Sequence, residues 1–196
     1  MLLDLEKLIK EFDLKINGVI HVGMHHMEEL KLYKKCGIEN RIWIEANTEL
    51  CEQYKNTEEI ILNEVISSTY EDVTFYVTSR TASNSILRPH MNLKYRDDIK
   101  LLEQVTLKAV PLSHYIFESK YNMLNLDIQG AELKALQGAD LFNIDYIYTE
   151  VNIQDMYQDV PKIDDIDNFL SDYKRVATHI HKNKFGDALY IKKHNG

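Results

Sequence analysis

The chain has 196 residues, 44% hydrophobic and 28% charged, which predicts one soluble domain over residues 1–196 with a full-sized core. Its 23 basic and 31 acidic side chains give a formal net charge of −8, which argues against a nucleic acid partner. No apolar run nears the roughly 18 residues of a membrane span, and the two cysteines, Cys36 and Cys51, form no CxxC pattern, so no membrane partner and a reducing, cytoplasmic setting are expected.

At the N-terminus, MLLDLEKLIKEFDLK alternates apolar and charged residues at helical spacing, which predicts a helix over 2–14, within a leading segment 1–17, rather than a signal peptide. In GVIHVGMHHMEEL a buried strand over 19–22 meets a turn with one glycine, Gly23, and then a helix over 28–35 with Gly37 as its C-cap. A second strand covers 41–45, a helix runs from 48 or 49 to about 55, and a third strand covers 60–66. Residues 73–77 alternate as an antiparallel or edge strand does.

The polar stretch TSRTASNSILRPHMNLKYRDD is too long for a simple connection, so 78–104 is expected to form a substrate or lid loop. Its basic pair, Lys94 and Arg96, reads as a solvated face. A short strand over 105–110 follows, then a buried strand over 123–127, a helix over 131–137, a strand over 144–150 and a helix over 163–173. The runs 176–180 and 188–191 are joined by the hairpin-like HKNKFGD. This alternation predicts an α/β fold with a mostly parallel central sheet, helices on both faces and an antiparallel edge pair.

In such a sheet, ligands sit beyond the carboxyl ends of the strands. Three of those ends carry an acid, Glu45, Asp127 and Glu150. Acids also cap helices, so one alone would mean little, but three on one rim suggest a ligand. Glu45 stands about 20 residues beyond the glycine turn, where a carboxylate holds ribose hydroxyls. A pyrophosphate would call for several glycines. A single-glycine turn with a rim of acids therefore favours S-adenosylmethionine, which is phosphate-free and positively charged at sulfur, over NAD.

The segments IHVGMHHMEELKLYKKCGIENRIWIEANTEL and LNLDIQGAELKALQGAD resemble the FkbM-type methyltransferases. Their late motif, D-x-x-G-x-E-x-x-x-L-x-G-A, stands intact as Asp127, Gly130, Glu132, Leu136, Gly138 and Ala139. The resemblance runs from Gly18 to the C-terminus and implies a Rossmann-like class I methyltransferase fold, S-adenosylmethionine as cofactor and O-methylation of a hydroxyl. The implied acceptor is a small molecule or carbohydrate: a sugar, a glycan or a small natural product. The implied donor contacts are His21, Gly23, Met24, His25 and Glu29 at the first turn, Glu45, Ala46 and Asn47 at the second, then Val65, Ser85 and Asp127. The first motif departs from the family: His21 and Met27 stand where many relatives carry an acid and a second glycine, so Glu28 or Glu29 would supply the missing carboxylate.

Methyl transfer from a sulfonium is an in-line displacement. Holding the acceptor in line is worth effective molarities of about 10⁵–10⁸ M, and a general base adds roughly 10²–10⁴-fold. Asp127 and Glu150 are the candidate bases. Glu132 could orient Asp127, bind substrate or join it in holding Mg²⁺, while Asp127 could equally cap the helix after it. His21, His25 and His26 invite a metal reading, but no further His or Cys stands at ligand spacing and no metal is assigned to them. Two rival readings remain: a nicotinamide-dependent oxidoreductase, opposed by the missing glycines and the lack of a Tyr-x-x-x-Lys pair, and a non-catalytic nucleoside-binding module of the same fold.

Overall fold

The computed structural model describes residues 1–90, 99–115 and 117–193. Along them run α1 (Leu5–Glu11), β1 (Gly18–Val22), α2 (Leu30–Lys35), β2 (Asn40–Glu45), α3 (Thr48–Tyr54), β3 (Ile60–Asn63), β4 (Val65–Ser67), β5 (Glu71–Thr78), β6 (Leu101–Pro111), β7 (Met123–Leu126), α4 (Glu132–Gln137), β8 (Tyr146–Asn152), α5 (Ile163–Phe169), β9 (Tyr173–His181) and β10 (Phe185–Lys192). Short 3₁₀ turns lie at Thr81–Ser83 and Leu112–His114.

Seven strands form one sheet in the order β3-β2-β1-β7-β8-β10-β9. The pairs among β3, β2, β1, β7 and β8 are parallel, and β10 runs antiparallel between β8 and β9. Strand order reverses between β1 and β7, which opens a crevice at their carboxyl ends. The strands are apolar on both sides because both sides are covered. Val19, Met24 and Trp43 pack with Leu5, Leu8 and Tyr33 from α1 and α2, while Ile20, Val22, Ile44 and Leu126 pack with Leu136 and Ile166 from α4 and α5. Among the described residues, no helix is long and apolar enough to cross a membrane.

Several boundaries differ from expectation. The strand expected over 60–66 is two strands in two sheets. The β2–β3 ladder ends at Glu45 and Asn63, and Val65 then pairs with Ala109 in a separate three-stranded sheet, β4-β6-β5. β6 exceeds the expected 105–110 because it pairs antiparallel with β5 along its length. The expected loop 78–104 is correspondingly shorter, since Thr78 ends β5 and Leu101 opens β6; residues 91–98, with Lys94 and Arg96, lie outside the described residues. The first helix starts at Leu5 because Asp4 caps it, its carboxylate accepting from the Lys7 N–H at 3.1 Å. The second starts at Leu30 because His25 and Met27 take positive φ angles of 44° and 53°, holding the chain in a tight turn.

Candidate active site

The carboxyl ends of β1, β2, β7 and β8 surround a cleft of about 360 Å³, inside the range of roughly 300–1,000 Å³ usual for small-molecule sites. Val65 and Ile66 from β4 and residues 80–86 form the facing wall. The small sheet thus completes the cleft that the large sheet opens.

Glu45 ties the first two turns together. One carboxylate oxygen accepts from the His25 N–H at 2.9 Å, the other from the Asn47 N–H at 2.8 Å. Each oxygen keeps a further lone pair for a ligand, and Glu45 is only half-buried. The His25 ring reaches across the cleft, with Nδ1 2.6 Å from Glu28 and Nε2 3.0 Å from the Thr81 hydroxyl. Burial pushes the Glu28 carboxyl up, but the bonds from His25 and the His26 N–H outweigh this and leave it below its ordinary value. Glu29 faces the α-ammonium of Met1 at 2.9 Å.

The β1 turn lies against the β7 end. Gly23 has φ 93°, and a Cβ there would sit 1.9 Å from the Asp127 carbonyl oxygen, so only glycine fits. Asp127 opens into the cleft, and the Gln129 amide bridges it to Glu150: Nε2 donates to Asp127 Oδ1 at 2.9 Å and to Glu150 Oε2 at 3.0 Å. Asp187 on β10, in register with Glu150, brings another carboxylate, which accepts from the Tyr148 hydroxyl and the Leu2 N–H. Although its side chain opens to the cleft, the protein packed around it desolvates the Asp127 carboxyl and raises it above its ordinary range; the Gln129 bond and the Met1 ammonium oppose this, and Asp187 and Glu29 add to it.

The family model for the FkbM methyltransferase domain matches residues 21–176. The chain belongs to the FkbM methyltransferase family. Solved structures similar to it include two methyltransferases. One is magnesium protoporphyrin IX methyltransferase from Synechocystis PCC 6803 with bound SAM, 9% identical, covering 96% of this chain and 79% of that one at a TM-score of 0.45. The other is a SAM-dependent methyltransferase from Aquifex aeolicus, 13% identical, covering 98% and 91% at a TM-score of 0.44. No curated protein matches the chain.

Within this FkbM domain, Gly23, His25, Glu29, Glu45, Ala46, Val65, Ser85, Asp127 and Glu150 line the cleft. Four expected site residues do not. His21 points to the opposite side of the sheet, 2% exposed, stacked on Trp43 and 3.1 Å from the Tyr33 hydroxyl. Burial pushes its pKa down to about 4, so it is a neutral core residue. Met24 is wholly buried in the core beside α1 and α2. The Asn47 side chain caps α3, accepting from the Glu49 N–H at 2.9 Å. Glu132, 2% exposed, turns inward and accepts from the Ile128 and Gly130 N–H groups at 3.0 and 3.1 Å.

That geometry corrects two roles expected of Glu132. It lies beneath the cleft, outside its lining and engaged with backbone N–H groups, and a Mg²⁺ site shared with Asp127 is not supported. Among the described residues, no group of three or more His, Cys, Asp or Glu could hold a metal ion. Met27, where the resemblance implies a glycine, keeps φ at 53° while its side chain is 5% exposed, so core burial offsets backbone strain.

Sequence reasoning missed Gln129, Asp187, Arg80 and Thr81. Gln129 lies inside the late motif, and its positive φ of 58° gives no sequence signal. Asp187 had a signal: it is an acid within the apolar run FGDALYI of a buried strand.

Proposed function

We propose that the protein transfers a methyl group from S-adenosylmethionine to a hydroxyl of a sugar, glycan or small natural product. The observation that carries this reading is that Glu45, Asp127 and Glu150 open onto one cleft across a turn that can hold only glycine.

The first turn fits a donor without phosphates. Its backbone donors are already engaged: the Gly23 and Met24 N–H groups bond to the Ile44 carbonyl, His25 N–H to Glu45 and His26 N–H to Glu28. A pyrophosphate depends on such groups being free, which disfavours a dinucleotide. Glu45 would hold the ribose hydroxyls, and Ala46, Val65 and Ile66 would pack the base. Glu28, Glu29, Asp127, Glu150 and Asp187 make the cleft strongly anionic, which suits a ligand with positive charge.

The donor, when bound, supplies a methyl group already activated on a sulfonium. The chain's own residues orient the acceptor. Asp127 and Glu150 accept hydrogen bonds from its hydroxyls, and Asp127, its pKa raised by desolvation at the cleft floor, takes the proton as the oxygen attacks. A hydroxyl-rich acceptor suits a row of carboxylates, which accept hydrogen bonds when ionised.

Isothermal titration with S-adenosylhomocysteine tests the donor assignment. Saturable binding to the wild type is expected, weakened at least about tenfold in Glu45→Gln, since a bond to a carboxylate contributes about 1.5–3 kcal/mol. No binding to the wild type, or identical binding by the variant, would contradict it. Mass spectrometry of a glycoside panel incubated with the donor tests the acceptor: methylated glycosides are expected, and none methylated despite tight donor binding would overturn that class.

A further inference from the structure

We propose that Gln129 is the positioning residue of this site, its amide holding Asp127 and Glu150 as one oriented pair facing the acceptor hydroxyl. This rests on the methyltransferase reading above.

The Gln129 NH₂ group has two hydrogens, and two carboxylates receive them, Asp127 at 2.9 Å and Glu150 at 3.0 Å. On the other side, the Tyr157 hydroxyl donates to Gln129 Oε1 at 2.8 Å. Ionised carboxylates only accept, so the amide must present nitrogen to them and oxygen to the tyrosine. Its orientation is therefore set by chemistry. The backbone is pinned as well, because the Ser85 hydroxyl donates to the Gln129 carbonyl at 2.9 Å.

Gln129 also adopts φ 58°, a strained conformation for a residue with a side chain and one that clusters at functional sites. The next residue, Gly130, has φ 101°, and Val160 and Tyr157 lie 3.0 and 3.1 Å from where its Cβ would be. The turn is thus pressed against the Tyr157 segment. That segment pairs in turn with the chain just beyond the cleft wall, through a Pro89–Tyr157 bridge and a Gln158 N–H bond to the Arg88 carbonyl at 2.8 Å. Wall, amide and acids form one connected chain.

Asp127 and Glu150 share this one amide with Asp187 nearby, and like charges oppose one another's ionisation. The groups around the pair are Asp187 on β10, Glu29 before α2, the Met1 ammonium ahead of α1, Glu132 in α4 and the Tyr157 hydroxyl. The Gln129 amide donates to both acids.

The test is a ¹³C NMR titration of aspartate-labelled full-length protein, with Asp127→Asn assigning the signal. Gln129→Met is expected to raise the Asp127 midpoint by about one to two pH units, because hydrogen bonds favour the charged form. Tyr157→Phe, which frees the amide to turn, should raise it by less and serves where the first variant does not fold. A midpoint unchanged in folded Gln129→Met, or in Tyr157→Phe, would overturn the proposal. Wild-type titration with S-adenosylhomocysteine separates the two claims: lost donor binding with an intact midpoint shift sinks the methyltransferase reading, and the reverse sinks the role of Gln129.

Discussion

Two turns meet at the floor of the cleft, one after β1 and one after β7, and each is held by a carboxylate. In the first, Glu45 accepts the His25 N–H, together with the Asn47 N–H of its own turn after β2, and remains open to the cleft. In the second, Glu132 accepts two backbone N–H groups and is sealed at 2% exposure. The same device therefore does two jobs. An acid that clamps a turn from the rim can also bind a ligand, whereas one that clamps it from below can only shape it.

The largest expected effect falls where the two turns touch. Gly23→Ala would force a methyl into the Asp127 carbonyl at a positive φ, costing about 2–5 kcal/mol in the urea midpoint and abolishing donor binding. Donor binding retained in a stable variant would break the claim that the turns share one floor.

Next comes Glu132→Ala, which strands two buried N–H groups and should destabilise by about 2–4 kcal/mol by chemical denaturation. The conservative Glu132→Gln adds a pH signature. Burial, with Asp127 adding to it, raises the Glu132 carboxyl above its ordinary 4.5, although its N–H bonds oppose this. The fold thus binds a proton that the unfolded chain releases, and stability should fall as pH rises from 4.5 toward neutrality. Glu132→Gln should flatten that slope; an unchanged slope would show that the carboxylate is not sealed.

His21 predicts the opposite sign. Its pKa falls from 6.5 to about 4 on folding, so its contribution is complete above 6.5 and lost as pH drops toward 4, by up to about 1.4 kcal/mol per unit. His21→Leu should remove that acid sensitivity, measured as urea midpoint against pH, and leave donor affinity alone. A tenfold loss of affinity would return His21 to the site.

The smallest effect is Asn47→Ala, a lost helix cap of about 1 kcal/mol in the thermal transition, with donor binding intact. A large loss of binding would mean that the side chain does more than cap.

These contrasts also mark what the sequence could disclose. The presence of β1, β2, β7 and β8 along the chain, the antiparallel edge formed by β9 and β10, and the acids Glu45, Asp127 and Glu150 are legible because alternation and strand-end acids are local patterns. The side on which a residue lies is less legible. Every residue of β1 is buried, so its composition does not show that His21 and Val22 point to opposite sides. Spacing likewise does not separate Glu132 from Asp127, because a tight turn directs one inward and the other outward. The break at Glu64 is hidden for another reason: β3 and β4 are both apolar, and only pairing with the distant β6 assigns Val65 to the second sheet.

The most direct test of the central claim is a crystal structure with S-adenosylhomocysteine. The ligand is predicted to lie in the cleft against both Glu45 and Asp127, with the first turn making no phosphate-type backbone contact. A ligand seated elsewhere, or contacting only one of those two carboxylates, would contradict the account.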